Sequence, residues 1–541
     1  MQNLPPRVTI PHLVRLDKSL ITMMTVATRL KCLAGDSLDP LILRRVRMPV
    51  KKRGVGLRNQ AHVAPMAFAG GFLHAITAVQ GMCPELGAWL HGTALHDQSN
   101  LENRLAFFTE ASESSLREVF TNAWVTMRER AGNPEPDPDE PRPLDYPAKS
   151  AGVLGGALIK EKFQRAFTHQ IEDVLFRVLC EDFRRLPWKD MRRCAFLVVG
   201  NYARQFINAL PMMDTWCLGD ELAEMYATYF GMPSPACAPY VDKRILGPIG
   251  RDGRRKEATL RKYGHALTST NWLQGGHTHT RHDRMKWIIG TAMQQSYPGT
   301  VVEAMGLFND CISDPNYWRS SRGERQRQGI CPDFLIPRWN LGRDQLFELK
   351  TMGYPNPDTE NPANYSSKKS NQTRRHAVNQ RERRIQSEYF KKARKADRDY
   401  NGTPEGVQGP IEQRLSQYGP IFGLVIGGFG EVNDNMDVLV TRLATRAAES
   451  KWRLMGALSL AQARQTFKAR IRRTIGVEAA RGLARLRLAN LVNVHSFQPS
   501  ESAASLRQRE KSYYYDARET HYNRFGPHAW FDPGMRGRTH R

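Results

Sequence analysis

"GICPDFLIPRWNLGRDQLFELKTM", residues Gly329–Met352, sets Pro332-Asp333 in one short apolar run and Glu348-Leu349-Lys350 in another, with a polar, glycine-containing interval between them. Short runs rich in Phe, Leu, Ile and Trp and bounded by turn residues read as strands. A hairpin-like turn around Asn340 to Asp344 would bring Asp333 beside Glu348 and Lys350 at one end of a sheet. Alternation along a strand puts Glu348 and Lys350 on one face and sends Leu349 into the core. Two carboxylates converging there repel each other unless a cation lies between them, and oxygen-only ligands suit Mg²⁺ or Mn²⁺. Such an ion would hold a water and a scissile phosphate, with Lys350 orienting or deprotonating the water or stabilising the developing charge. Taken alone, the motif also reads as two amphipathic strands with a surface Glu-Lys pair.

The flanking sequence bears on that choice. "HTHTRHDRMKWIIGTAM", residues 277–293, starts a helix with His282 and Asp283 in its first turn, and "TVVEAMGLF", residues 300–308, is a strand carrying Glu303 among apolar neighbours. Downstream, "RRHAVNQRERRIQSEYFKKARKADRDY" reads as a long basic helix, and "GPIFGLVIGGFG" as a further strand. Asp333, Glu348 and Lys350 are therefore the first candidates for a hydrolytic site. Glu303 and Asp283 are second candidates for holding the metal. His282 is either a general base or a helix-start hydrogen bond that positions Asp283 or a phosphate. Arg374, Arg375, Arg381, Arg384, Lys391 and Lys392 would meet nucleic acid, although a charge run is more often a solvated face.

Composition points the same way. Seventy-nine Lys and Arg against 54 Asp and Glu leave a formal charge of +25 over 541 residues, which makes nucleic acid the default partner and an anionic membrane the second. No run of about 18 apolar residues marks a membrane span, and the N-terminal stretch lacks a signal-peptide core, so an intracellular, unsecreted protein is expected. The eight cysteines include no C-x-x-C pair, which argues against a disulfide framework or a four-cysteine zinc site.

Along the chain the expected fold is mixed α+β: a mainly helical N-terminal half, an α/β core with a central mixed sheet flanked by helices, and a helical C-terminal region. Residues 1–131 read as a helical module, and "GNPEPDPDEPRPLDYP", residues 132–147, as a stiff acidic linker. Residues 148–260 form a helical connector that ends in a Pro- and Gly-rich loop, 261–445 the α/β domain, 446–495 a basic helical region and 496–541 a poorly ordered tail. "GGFG", Gly427–Gly430, lacks the spacing of a phosphate-cradling loop and reads as a strand-to-helix turn.

P-D, fourteen residues, then E-L-K resembles the PD-(D/E)xK restriction-like nucleases. With R-H-D opening a helix and an acid-bearing strand before it, the block looks like the endonuclease region of non-LTR retroelements. "RMPVKKRGVGLRNQAHVAPMAFAGGFL", residues 47–73, is similar to the segment that follows the reverse transcriptase in such elements. "RCAFLVVGNYARQFINALP", residues 193–211, looks like the short helical block before their nuclease. The resemblance implies a nuclear, Mg²⁺-dependent DNA endonuclease, with RNA as a further ligand and a separate reverse transcriptase as a further partner. It also implies a polymerase-derived remnant in residues 1–131, where Lys51, Lys52 and Arg53 surround glycines that would let a phosphate chain approach. No Asp-Asp dipeptide occurs, so polymerase activity is not expected. The family's zinc knuckle is represented only by His265, His277 and His279 with no nearby cysteine, and zinc is not expected. A domesticated fragment that binds DNA or RNA without cutting is the alternative.

Overall fold

The computed structural model describes residues 6–30, 39–60, 163–209, 217–250, 253–269, 277–304, 306–313, 330–340, 342–354 and 370–497, with a few isolated residues at 63–85, 215 and 273. The acidic linker and the C-terminal tail expected from the sequence lie outside them. The chain divides into two compact units, residues 1–27 with 34–186 and residues 28–33 with 187–541.

The first unit contains helices α1 (Pro6–Thr28), α2 (Pro40–Arg47) and α3 (Phe163–Arg185), with a 3₁₀ turn at Val50–Lys52. Asp39 caps α2 by accepting the Leu41 and Ile42 amides, at 2.9 and 3.1 Å, with Pro40 in the first turn where its missing N–H costs nothing.

The second unit is mixed α+β. Its elements are α4 (Met191–Val198), α5 (Gly219–Phe230), β1 (Arg244–Ile249), β2 (Arg255–Thr259), α6 (Ala266–Ser269), α7 (His277–Ser296), β3 (Val301–Val302), β4 (Phe334–Asn340), β5 (Arg343–Thr351), α8 (Ser370–Asn401), α9 (Pro410–Gln417), β6 (Phe422–Ile426), α10 (Asp434–Lys451) and α11 (Leu460–Asn490). The main sheet runs β3-β4-β5-β6, antiparallel through its first three strands and parallel between β5 and β6.

Strand alternation gives this sheet two apolar faces. Phe334, Ile336, Phe347, Leu349, Leu424 and Ile426 pack against Met285, Ile288, Ile289 and Met293 of α7, Met436, Leu439, Val440 and Leu443 of α10, and Ile475 and Ala479 of α11. Leu335, Leu346 and Val425 turn the other way, onto Val378, Ile385, Tyr389 and Ala393 of α8 and Ile411 and Leu415 of α9. The apolar residues of α7 recur at three, four and eight, the stripe a helix needs to cover a sheet. The result is a sheet buried on both sides, with its polar residues displaced to its ends.

The sequence order of helix, three strands, helix and strand is present, with α9 inserted before β6. The β4–β5 turn closes where Asn340 pairs with Arg343, with Gly342 at φ 81. Gly427–Gly430 forms the turn between β6 and α10; Gly430 has φ 76, and a Cβ on Gly428 would lie 2.5 Å from the Gly353 carbonyl oxygen. One reading is corrected. The Pro- and Gly-rich stretch expected as a loop contains the antiparallel hairpin β1–β2. Ile245 anchors it in an apolar cluster with Cys237, Leu260, Leu267 and Leu488, while β2 is almost wholly exposed and so shows no alternation to read. The basic helical region expected over 446–495 comprises the end of α10, which closes at Lys451, and α11, which starts at Leu460.

Candidate active site

The end of the main sheet reached by the N-terminal half of α7 gathers the charged residues of the opening motif. Asp333 lies just before β4 and Glu348 within β5, and they are only 7% and 5% exposed. Oδ2 of Asp333 accepts the Leu349 amide at 2.8 Å, which locks the carboxylate against β5. Glu303 follows β3 in the left-handed backbone region, φ 51, and its amide donates to the Asp333 carbonyl at 2.8 Å. Lys350 donates to Oε1 of Glu348, on the same face of β5.

From α7 come His282, Asp283 and Lys286, one turn apart. Nζ of Lys286 lies 2.6 Å from Glu303, 3.3 Å from Asp283 and 3.6 Å from Asp333. Nε2 of His282 faces the Leu349 carbonyl at 3.1 Å and Asp333 at 3.4 Å, while Nδ1 faces Asp283 at 3.4 Å. Both ring nitrogens thus point at acceptors, the arrangement of an imidazolium. Burial alone would lower the His282 pKa, but Asp283 and Asp333 outweigh it and push it up to about 9. That charge state favours the positioning role over that of a general base. From the opposite layer, Tyr389 of α8 donates its hydroxyl to Oε2 of Glu348 at 2.5 Å.

The two central carboxylates are driven apart. Burial and the neighbouring Asp333 raise Glu348, against Lys350 and Tyr389. Burial also acts to raise Asp333, but His282, Lys286 and the Leu349 amide hold it below the ordinary carboxylate range. Burial acts to lower Lys286, but Asp333, Glu303 and Asp283 outweigh it, so its pKa is raised and it stays an ammonium.

Sequence reasoning missed Lys286 and Tyr389. The signal for Lys286 was its position four residues after His282, on the same helix face. Nothing local marked Tyr389, 41 residues beyond Glu348.

Among the described residues, no group of three or more His, Cys, Asp and Glu side chains stands ready to hold a metal ion. The reason is visible in the pairing: Lys286 fills the space between three carboxylates, and Lys350 and Tyr389 take both oxygens of Glu348. The donor set nonetheless suits a hard divalent ion, being made of carboxylate oxygens, and the Lys286 ammonium marks where their negative potential converges. Cys237 is buried among apolar side chains, and burial together with Glu224 pushes its thiol up to about 12.

The expected nucleic-acid contacts divide. Arg374 is a correction: it is buried and bound to Glu431 at 2.9 Å, so it meets no phosphate. Arg375 is paired with Asp434, and Arg381 with Glu388 at 2.7 Å. Arg383, Arg384, Lys391 and Lys395 are exposed and form no ion pair among the described residues. Lys392 lies 5.3 Å from the centre of the Tyr389 ring, beside the acid cluster. In the first unit Lys51 is exposed, whereas Lys52 pairs with Asp173 at 2.7 Å and Arg53 lies over the Phe176 ring. Lys52 is therefore a tie to α3 rather than the open phosphate contact expected of it.

No model of a known protein family, no curated protein and no solved structure matches the chain.

Proposed function

We propose that this chain is a divalent-metal-dependent DNA endonuclease with a restriction-like core. The observation that carries the reading is the juxtaposition of Asp333, just before β4, with Glu348 of the paired strand β5, with Lys350 two residues on and Glu303 and Asp283 within reach of the same Lys286 ammonium. A sheet with three antiparallel strands and a parallel fourth, covered by helices on both faces, supports it as the scaffold such a site needs.

Asp333 and Glu348 would hold Mg²⁺ or Mn²⁺, assisted by Glu303 and Asp283. Bound there, the ion supplies Lewis-acid polarisation of a phosphodiester and lowers the pKa of water. Lys350, released from Glu348, is the group that orients the attacking water and offsets charge developing on phosphorus. His282 fixes Asp333 and Asp283, and Tyr389 fixes Glu348 from the opposite layer. Arg384, Lys391, Lys392 and Lys395 supply cations on α8 for the DNA backbone. The proposed lineage, the endonuclease region of a non-LTR retroelement with a polymerase-derived N-terminal module, rests on the sequence blocks alone. So do the nuclear setting, RNA as a ligand and a separate reverse transcriptase as partner.

A second reading, a protein that binds DNA or RNA without cutting, is favoured by one observation: every carboxylate of the cluster is already paired with a cation or donor of the chain itself. No helix of the described residues is long and apolar enough to cross a membrane. Supercoiled plasmid incubated with the full chain in Mg²⁺ or EDTA separates the two readings. Nicking only in Mg²⁺ is expected of the endonuclease, and retention without nicking of the binder.

A further inference from the structure

α10 and α11 pack along each other as a helical hairpin, with Arg472 reaching back to Asp437 at 3.0 Å. The turn that joins them, residues 452–459, is tied at both ends. The Ala457 amide donates to the Trp452 carbonyl at 3.2 Å and the Gly456 amide to the Arg453 carbonyl at 3.1 Å, with Gly456 left-handed at φ 66. That pair of bonds closes the first helix as a Schellman motif. On the far side, Oγ of Ser459 accepts the Gln462 amide at 3.2 Å and Oε1 of Gln462 accepts the Leu458 amide at 2.7 Å, a reciprocal cap for α11.

This well-bonded turn presents apolar side chains to water. Leu454 and Leu458 are 88% and 90% exposed, the two most exposed large apolar residues among the described residues, and Met455 and Leu460 are exposed as well. A backbone held by caps on both sides cannot fold these side chains inward, and an apolar tip rimmed by polar residues marks a contact surface.

Charge indicates what that surface is. From Ser450 to Val477 the chain carries seven Lys and Arg and not one Asp or Glu. Arg453 lies over the Trp452 ring at the tip, and Arg464, Lys468 and Arg472 recur every fourth residue along α11. Asp437 answers Arg472, while burial and the nearby Arg472 and Arg464 lower Lys468 against the pull of Asp437. Like charges at that spacing weaken a helix unless an anion lies along it. From the start of α11 to Arg472 the cations extend over about 18 Å. Surface charge acts over only about 8 Å in physiological salt. A flat anionic membrane met by the tip would therefore leave the far cations unused, whereas a duplex backbone lying along the helix engages them all.

We propose that the α10–α11 hairpin is a DNA wedge: Leu454 and Leu458 enter a base step of a duplex and unstack it, while Arg464 and Lys468 bind the backbone alongside. Apolar side chains inserted between base pairs kink the duplex, and the phosphate contacts beside them offset the cost of unstacking. The inference rests on the proposed DNA ligand and not on cleavage by the acid cluster.

The test compares binding of the full chain, in EDTA, to a labelled duplex and to the same duplex with a one-nucleotide gap at its centre, where unstacking costs less. The native protein should bind the gapped duplex at least several-fold more tightly. Leu454→Ser with Leu458→Ser, at positions that pack against almost nothing, should keep the native Tm and bind the two duplexes equally. Arg464→Ala with Lys468→Ala should weaken both alike, retain the preference and flatten the salt dependence by roughly one unit of log–log slope per lost contact. Equal affinity of the native protein for the two duplexes, or a preference unchanged in the leucine variant, would overturn the proposal. Leucine-dependent binding to vesicles of phosphatidylcholine and phosphatidylserine, or a leucine-dependent dimer, without a gap preference would overturn it in favour of a membrane or a second copy. Absence of binding to either duplex would refute the DNA ligand itself, whereas Mg²⁺-dependent nicking without a gap preference would refute the wedge alone.

Discussion

The ammonium of Lys286 donates to Oε1 of Glu303 at 2.6 Å, and from that position it also faces Asp283 and Asp333. A protein cation thus sits where a divalent ion would be attracted. Replacing Lys286 with Met removes the ammonium from Glu303 and leaves His282 beside Asp283 and Asp333, and should cost about 3 kcal/mol in EDTA, the scale for removing one partner of a buried charge pair. The same variant should recover more stability with Mg²⁺ than the native protein does. Thermal unfolding with and without Mg²⁺ checks this; a variant with the native Mg²⁺ response would contradict the assignment of the cluster to a metal.

Tyr389 anchors Glu348 across the sheet. Tyr389→Phe keeps the ring in its apolar layer and removes only the hydroxyl, a hydrogen bond to a charged acceptor contributing about 2 kcal/mol. The variant should fold, bind DNA as the native protein does and nick at least several-fold more slowly. Single-turnover nicking alongside a denaturant midpoint separates the loss of rate from a loss of fold.

On α8, two arginines of one charge run should behave in opposite ways. Arg374→Ala strands Glu431 in the core and should destabilise by about 3 kcal/mol. Arg384→Ala combined with Lys391→Ala should leave the fold intact and flatten the salt dependence of DNA binding, by roughly one unit of log–log slope per lost phosphate contact. Urea unfolding and binding titrations over a range of salt give both numbers, and an unchanged slope would make the exposed residues a solvated face only.

That contrast shows what could be read from the sequence. The strands were legible because Phe334, Leu335 and Ile336, and Leu346, Phe347 and Leu349, form short apolar runs bounded by turn residues, and α7 because its apolar stripe has helical spacing. Arg374 was not, because its partner Glu431 lies 57 residues away and nothing local separates a buried arginine from its exposed neighbours. Lys286 and Tyr389 were missed for the same reason: each is defined by carboxylates brought to it by the fold. The β1–β2 hairpin escaped because its second strand faces solvent along nearly its whole length.

Glu478 sets an acid limit on stability. Burial opposes its ionisation, but Arg481, Arg284 and Arg485 outweigh burial and hold the carboxyl down to about 2, against 4.5 for an ordinary glutamate. A depressed carboxyl stabilises the fold fully above its unfolded value, so the contribution, about 3 kcal/mol, is present above pH 4.5 and lost as pH falls towards 2. Glu478→Gln should lower stability at pH 7 and flatten its pH dependence across that window. Parallel pH dependence in the two proteins would refute the assignment.

The most direct measurement of the account is nicking of supercoiled plasmid by the full chain, the Lys350→Ala chain and the Asp333→Asn chain, each in Mg²⁺ and in EDTA, with DNA affinity measured in parallel. Mg²⁺-dependent nicking is expected of the native protein alone, with affinity of both variants within a few-fold, because one side chain among many cations contributes little to phosphate neutralisation. Undiminished nicking by Lys350→Ala, or none by the native protein in either Mg²⁺ or Mn²⁺, would contradict it.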